Sequence, residues 1–419
     1  MTDLKRNVPE LRFPEFEDEW EEKKLEEIVS FGKGKLLGKK DLTEDGKYLC
    51  ILYGELYTKY GAIINNIESR TNVDPSKLKK ADKNQILIPS SGETVEDIAT
   101  ASAINVTEDV YIGGDLNILT PQKDDGRFIS LSLNSVNKWN VSRFAKGKTV
   151  VHLYNSDLKN LKINLPCQFE EQQKIGDFFS KLDHQIELEE EKLALLEEQK
   201  KGYMQKIFSQ ELRFKDENGE DYPDWEEKQL SKVLKDKGEG IKRGPFGGAL
   251  KKEIFVEEGY AVYEQQNAIY DNQEFRYFIT SEKYDEMKGF KVQTNDIIMS
   301  CSGTIGKLSK IPLTFKEGII NQALIRFRTN ELVTATYFLV YMRSNLMQRK
   351  ILSSNPGSAI VNLIPVKELR KLSFPVPTKQ EQHKVSEFFS KLNRHIELQG
   401  KKVELLKQRK QGFLQKMFV

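Results

Sequence analysis

The longest regular pattern of apolar positions in the chain runs from Glu171 to Phe208. Ile175, Phe179, Leu182, Ile186, Leu193, Leu196, Tyr203 and Ile207 recur in alternating steps of four and three, the seam of a supercoiled helix and not the two-residue alternation of a strand. Only Glu189 and Lys200 break the seam. No proline and no β-branched run interrupts it, so the pattern predicts one helix of about 39 residues, about 58 Å long at 1.5 Å per residue.

The same helix is written twice. At a constant offset of 210 residues, positions 171–208 and 381–418 are identical at 19 of 38 places, and the two breaks recur as Gln399 and Lys410 between the apolar Leu392, Ile396, Val403, Leu406 and Phe413. Residues 171–209 carry six Lys/Arg and nine Asp/Glu, whereas 381–419 carry nine and four. Opposite charge favours pairing one copy with the other over self-pairing, although exposed pairs add little each. One antiparallel register aligns every break: Glu189 faces Lys410, Lys200 faces Gln399, Leu193 faces Leu406 and Ile186 faces Phe413. A slip of one heptad would bury Glu189 or Lys200 against apolar side chains, at about 1–3 kcal/mol each unless the charge reaches water. Two independent helices, each packed on its own domain, are the alternative.

The duplication extends past the helices. LRFPEFEDEWEEKKLEEI near the N-terminus returns as LRFKDENGEDYPDWEEKQLSKV after the first helix, with Trp20-Glu21-Glu22-Lys23 matching Trp225-Glu226-Glu227-Lys228. The N-terminal segment is therefore expected where the second helix finishes, which makes the chain nearly circular. Between these anchors lie two segments that each read as a mixed α/β domain. Both open with a glycine- and lysine-rich loop, FGKGKLLGKKDL and GEGIKRGPFGGALKKEIF. An apolar strand follows, at Tyr48 and at Tyr260. The best internal match comes next: Ile86-Leu-Ile-Pro-Ser-Ser91-Gly92 against Ile297-Ile-Met-Ser-Cys-Ser302-Gly303, a strand ending in a small polar loop. Both close on a Gly turn and strand at Gly147 and Gly357, then Pro166 or Pro375 and Pro377 ahead of the helix. The organisation expected is 1–166 as the first domain, 167–210 as the central helix, 211–377 as the second domain and 378–419 as the C-terminal helix.

Composition narrows the class. A chain of 419 residues has room for two or three domains. Cys50, Cys167 and Cys301 lie far apart without a C-x-x-C, which argues against disulfides or zinc and fits a reducing cytoplasm. No window approaches a membrane span and no apolar leader opens the chain. The net charge of +2 is uninformative, but its distribution is not. Residues 1–28 hold five bases and ten acids and 210–229 hold three and eight, whereas 29–166 hold nineteen and sixteen and 230–377 hold twenty-two and fifteen. The acid lies in the joints, and the two large segments are basic, as expected of surfaces that meet phosphate.

No catalytic constellation is found. Arg143-Phe-Ala-Lys-Gly147-Lys148-Thr149 has the tail of a phosphate loop, but Ser142 stands where its first glycine belongs. Gly32-Lys-Gly34-Lys-Leu-Leu-Gly38 is one residue too long for a dinucleotide fingerprint. No Asn/Asp-Pro-Pro-aromatic tetrad for amino-methyl transfer occurs, and His152, His184, His383 and His395 lack metal-ligand spacing. Binding chemistry remains. Lys33, Lys35, Lys39 and Lys40, with Lys242, Arg243, Lys251 and Lys252, are long cations on glycine-rich loops and suit phosphate contact. Arg143, Lys148, Arg349 and Lys350 are second-rank candidates of the same kind. Arg70, Arg243, Gln265, Gln266 and Asn267 carry the bidentate groups that read base edges, with an ordinary strand end as the competing view of 265–267. Ser90, Ser91, Gly92, Ser302, Gly303 and Thr304 suit backbone amides offered to phosphate, and a plain tight turn explains them equally well.

Two divergent domains alternating with two copies of an E-Q-x-x-I/V helix, Glu171-Gln172-Gln173-Lys174-Ile175 and Glu381-Gln382-His383-Lys384-Val385, together with the paired Ser-Gly loops, closely resemble the specificity subunits of type I restriction-modification enzymes. The resemblance covers essentially the whole chain. It implies an α+β, internally duplicated pseudo-twofold architecture: two mixed α/β target recognition domains joined and spaced by two long antiparallel coiled-coil helices. Each domain would read half of a split, asymmetric site in double-stranded DNA. The helices would set the gap and dock two methyltransferase subunits, with restriction subunits joining through them. The chain would itself be non-catalytic and hold no cofactor or metal, leaving S-adenosylmethionine, ATP and magnesium to its partners. A protein-binding scaffold whose basic domains are not specific for DNA is the competing function.

Overall fold

The computed structural model describes residues 7–147, 150–236, 238–246, 248–352 and 365–419. Packing divides the chain into two units, one of residues 1–191 with 400–419 and one of residues 192–399. The division falls inside the two long helices, Phe169–Phe208 of 40 residues and Lys379–Lys416 of 38, so each helix contributes one end to each unit.

In the first unit a five-stranded sheet runs in the order Val29–Lys33, Leu116–Pro121, Ile86–Pro89, Ser102–Ile104 and Ile63–Ile64. A four-stranded sheet lies in the order Arg70–Thr71, Tyr48–Ile51, Val110–Ile112 and Lys79–Ala81, with Tyr48–Ile51 parallel to Val110–Ile112. The second unit repeats the frame with fewer strands. Ile241–Arg243, Leu324–Phe327, Ile297–Ser300 and Leu308–Lys310 form one sheet. Phe278–Ile279, Tyr260–Tyr263 and Gly318–Ile320 form the other, again with a parallel pair at Tyr260–Tyr263 and Gly318–Ile320.

The matched strands at Ile86 and Ile297 are uninterrupted apolar runs because both their faces are buried. Ile86 and Ile88 enter the core formed with the helices, while Leu87 enters the core between the two sheets. Ile297 and Met299 repeat the first placement and Ile298 the second. A strand's two-residue period sends neighbours to opposite sides, and here both sides are core.

Each unit is closed by a ribbon that starts at the conserved tryptophan: Glu21–Lys24 against Lys162–Leu165, and Glu226–Gln229 against Ser373–Val376. The E-Q pair that opens each long helix locks it there. Glu171 takes Arg12 in two hydrogen bonds of 2.7 Å and the Trp20 indole at 3.4 Å; Glu381 takes Arg213 at 3.2 and 2.9 Å and the Trp225 indole at 2.8 Å. Gln172 accepts the Asp125 amide at 2.9 Å and donates to the Pro166 carbonyl at 3.1 Å. Gln382 likewise accepts the Thr334 amide and donates to the Pro377 carbonyl, both at 2.9 Å. Asp125 and Thr334 are the N-caps of helices Gly126–Asn134 and Ala335–Met342, so the glutamine fastens the long helix to the start of the domain's own core helix. The expected head-to-tail closure is present in the first unit, where the Leu11 amide donates to Lys416 O at 2.8 Å and Leu414, Met417 and Phe418 join its core.

The long helices pack antiparallel in both units, but not in the register expected. In the first unit Glu189 pairs with Lys402, eight residues short of Lys410, and Lys410 pairs with Asp183. Glu190 meets Lys407 at 2.5 Å, and Phe178 packs edge-on to Phe413 with ring centroids 5.1 Å apart. In the second unit Tyr203 and Phe388 repeat that aromatic contact at 5.1 Å. The sequence pattern alone favours a break in one seam facing a break in the other. Charged side chains at a break instead reach sideways to acids and bases flanking the seam, and the aromatic ends set the register. Of the seam residues, Ile186, Gln399, Val403 and Leu406 are buried. Leu182, Glu189, Leu193, Leu196, Lys200, Leu392, Ile396, Lys410 and Phe413 are half-buried, and Tyr203 is exposed at 39%.

Candidate nucleic-acid interface

Both units build the same three-loop cluster at one end of the sheet. In the first, the Gly34 amide donates to Leu116 O at 2.9 Å and the Ser90 amide to Asp115 O at 2.9 Å, which ties the Gly34 loop, the Ser-Ser-Gly loop and the 113–115 turn together. In the second, Gly244 donates to Leu324 O at 2.9 Å and Cys301 to Ala323 O at 2.8 Å. A Cβ at Gly34 would lie 1.8 Å from Gly113 O, and one at Gly244 would lie 1.8 Å from Asn321 O. Only glycine allows this approach of backbones, which explains why the two loops keep glycine where most of their sequence has diverged.

The loops carry the cations. Lys33, Lys35, Lys39 and Lys40 are all exposed, Lys33 closing its strand, Lys35 on the loop beyond it, and Lys39 and Lys40 in the short 3-10 helix Lys39–Asp41 that follows. In the second unit Arg243, Lys251 and Lys252 are exposed. Lys242 and Arg243 leave their strand on opposite faces. Lys242 is half-buried with its ammonium 5.2 Å above the Phe290 ring, while Arg243 lies beside the Cys301 thiol, which burial pushes up and the guanidinium draws down. Arg70 is exposed and its guanidinium donates to Gly46 O at 3.4 Å. Arg143 and Arg349 are exposed, and Lys148 lies outside the described residues.

Several residues expected at a DNA surface are committed elsewhere. Asn267 is buried; its amide oxygen accepts from the Glu264 amide at 2.8 Å and its nitrogen donates to Glu274 O at 2.9 Å, so it shapes the turn and reads nothing. Gln266 donates to Glu274 O at 3.3 Å. Gln265 differs: its Oε1 has no hydrogen-bond partner, and its amide lies against the Gly303 loop, 3.6 Å from where a Cβ would stand. The amide of Ser90 is spent on Asp115 and its carbonyl on Leu153, and Ser91 and Gly92 pair with His152 and Val151, so this loop does not offer the row of free amides expected for phosphate. Ser302, Gly303 and Thr304 are exposed, Gly303 is left-handed at φ +61°, and their amides make no backbone hydrogen bond among the described residues.

The tertiary structure adds one candidate and subtracts two charges. Phe246 stands 82% exposed on the glycine loop between Arg243 and Lys251, a stacking surface amid cations. Its signal in the sequence is an aromatic residue inside a Gly-rich basic loop. Arg326 and Arg328 add to the basic count of the second domain but are buried on Asp296 and Glu239, with Arg328 Nε 2.7 Å from Asp296, so they hold the sheet and are withdrawn from any surface.

Fold and site define a class: an internally duplicated protein in which one frame carries two unlike, basic loop surfaces. The chain matches the type I restriction modification DNA specificity domain over residues 17–198 and again over 223–408. It belongs to that family, and its role is that of a specificity subunit, the component concerned with recognising DNA sequence. It is 23% identical over 312 residues to the putative type I restriction enzyme MjaX specificity subunit of Methanocaldococcus jannaschii, covering 72% of this chain and 70% of the relative. It is 24% identical over 281 residues to the MjaVIII specificity subunit of the same organism, covering 64% of each. The fold is similar to the S subunit of a type I restriction-modification system from M. genitalium, with a TM-score of 0.62, 18% identity and coverage of 98% and 99%. A chain from a structure concerned with complex assembly and conformational transition of the type I R-M system gives a TM-score of 0.55 at 16% identity, covering 97% of this chain and 99% of that one. No helix among the described residues is long and apolar enough to cross a membrane.

Proposed function

We propose that each unit reads one half of a split, asymmetric DNA site through its three-loop cluster, and that the chain performs no chemistry itself. The observation that carries this reading is the pairing of a conserved frame with divergent, cation-bearing loops: Gly34 and Gly244 hold equivalent positions, while the side chains presented around them differ. Unlike heads on a duplicated frame specify a non-palindromic site, because a palindrome needs identical heads. The two helices, about 60 Å and 57 Å at 1.5 Å per residue, set the length of the unread gap.

Partners supply the chemistry in this proposal. Two methyltransferase subunits carry S-adenosylmethionine, and restriction subunits joined through them carry ATP and magnesium, in the cytoplasm. A repeated apolar feature supports two docking surfaces. Leu188 and Leu405 in the first unit are 50% and 47% exposed, and their copies Leu398 and Leu195 in the second are 54% and 57% exposed. One leucine from each long helix is thus left uncovered in each unit. Mapping methylated adenines in cells that carry this chain with a methyltransferase subunit tests the reading: modification at a single bipartite motif is expected, and motif-independent modification would overturn it. The competing scaffold role requires retention on duplex DNA that ignores salt, since phosphate binding weakens steeply as salt rises.

A further inference from the structure

The two glycine loops share a feature beyond their glycines. Leu36 stands two residues past Gly34 and Phe246 two residues past Gly244, so the pair matches at the same 210-residue offset as the long helices. Leu36 is 73% exposed and Phe246 82%. Single exposed apolar residues are ordinary on a protein surface. Two at one position of a duplicated frame, in loops whose other residues have diverged, mark that position as kept for an apolar side chain. Each tip is also held firmly. Leu36 has a left-handed backbone at φ +49°, which a leucine rarely adopts, and Leu37 beside it is buried with Cys50, Leu52 and Tyr111. Phe246 follows Pro245, which is buried and whose ring fixes its own φ. A strained or ring-locked backbone that presents an uncovered apolar side chain points to a use outside the fold.

Cations surround both tips. Lys33 and Lys35 precede Leu36 and Lys39 and Lys40 follow it, while Arg243 precedes Phe246 and Lys251 and Lys252 follow it. All are exposed, and none forms an ion pair among the described residues. Phosphates of a duplex backbone answer these charges on both flanks of a tip that is one side chain wide. A protein partner would have to cover the tip with a broad apolar patch, and the charged flanks leave room for none. The apolar surface that lies between two rows of phosphate is the face of a stacked base. Apolar side chains on basic elements reach it by entering a base step and parting the stack. The two tips differ in what they do there: a phenyl ring stacks on the uncovered base, whereas an isobutyl group fills the opening.

We infer that Leu36 and Phe246 are matched wedges, each of which enters one base step of the half-site read by its unit. This rests on the proposed reading of DNA by the loop clusters. Part of the sequence preference then comes from how easily that step opens, which favours a pyrimidine–purine step. The test uses the full chain with its co-encoded methyltransferase subunit, without S-adenosylmethionine, on a duplex carrying the motif found by methylation mapping. A fluorescent base analogue that brightens when unstacked replaces each base of both half-sites in turn. One bright step per half-site is expected, besides any base that the methyltransferase itself extrudes. Leu36→Asn, chosen because asparagine tolerates the left-handed backbone, should darken the step in one half-site. Phe246→Ala should darken the step in the other, and extruded bases should stay bright in both variants. Phe246→Ala should also weaken binding about tenfold with an unchanged salt slope, because a stacked base is lost and no phosphate contact. No bright step in wild type, or bright steps kept by both variants, overturns the inference. Weakened uptake of the methyltransferase subunit with the bright steps kept assigns the tips to protein contact and overturns it as well. Wild-type binding without preference for the motif overturns the reading of DNA, and the wedges with it.

Discussion

The indole Nε1 of Trp225 donates a hydrogen bond of 2.8 Å to the fully buried carboxylate of Glu381, which Arg213 also holds. Trp20, Glu171 and Arg12 repeat the arrangement in the other unit. These are the residues by which the duplication is most easily seen in the sequence, and their conservation between the halves is structural: they fasten each long helix to the ribbon of its unit. Glu381→Ala leaves the half-buried Arg213 guanidinium without its carboxylate and the buried Trp225 N–H without its acceptor, which costs about 1–3 kcal/mol. Trp225→Phe removes one hydrogen bond and costs about 1 kcal/mol. Hydrogen exchange followed by mass spectrometry should show faster exchange in residues 192–399 and little change in 1–191; uniform loosening would contradict the two-unit division.

Gly34→Ala and Gly244→Ala each place a methyl group 1.8 Å from a backbone oxygen, which must move. Each substitution should disturb one loop cluster only. Methylation of the cognate site should fall at least tenfold, about 1.4 kcal/mol in the barrier, with relaxed sequence preference confined to one half-site.

The register of the helices is checked by a double-mutant cycle. Glu189→Lys and Lys402→Glu should each destabilise slightly, and the double reversal should recover a coupling of about 0.2–1 kcal/mol, small because Lys402 is half exposed. Combining Glu189→Lys with Lys410→Glu should recover none. Urea unfolding of the four-member sets distinguishes the two registers.

Exchanging residues 29–166 for another domain of this family should change one half-site and preserve the other. Removing seven residues from each long helix at facing positions should shorten the unread gap and preserve both half-sites. Methylated-base mapping reads both outcomes, and a gap of unchanged length would exclude the helices as its ruler.

The thiols separate by burial. Cys50 is pushed up to about 12, chiefly by desolvation and then by Glu55, whereas Cys167 is exposed. Iodoacetamide at pH 8 should alkylate Cys167 first and reach Cys50 and Cys301 only after unfolding. Above its ordinary value of 9.0 the unfolded Cys50 loses a proton that the folded one keeps, so stability should fall as pH rises from about 9 towards 12. Cys50→Ser should flatten that part of the curve.

The long helices, their duplication, the tryptophan ribbons and the strands at Ile86 and Ile297 were legible in the chain because each is a local pattern: a seam of threes and fours, a repeated tetrapeptide, an apolar run sized for a strand. The roles of Asn267 and Ser90 were not. Both look like binding residues in sequence, yet a side-chain amide or a backbone N–H is available to DNA only if no nearer partner claims it, and the partners here come from turns elsewhere in the fold. The same holds for Arg326 and Arg328, whose charge counts towards a basic surface until Asp296 takes it inside.

Sequence by itself determined that one half-unit is written twice, that its frame is kept and its loops are not, and that the two rods carry complementary charge. Periodicity and repetition are properties of a string, and they need no coordinates. Tertiary structure alone decided that Glu189 meets Lys402 and not Lys410, that Gln265 keeps a free oxygen while Asn267 does not, and that Arg328 is spent on Asp296. Register, hydrogen-bond commitment and charge compensation are each settled by which groups come within a few ångströms of one another, and such neighbours lie far apart along the chain.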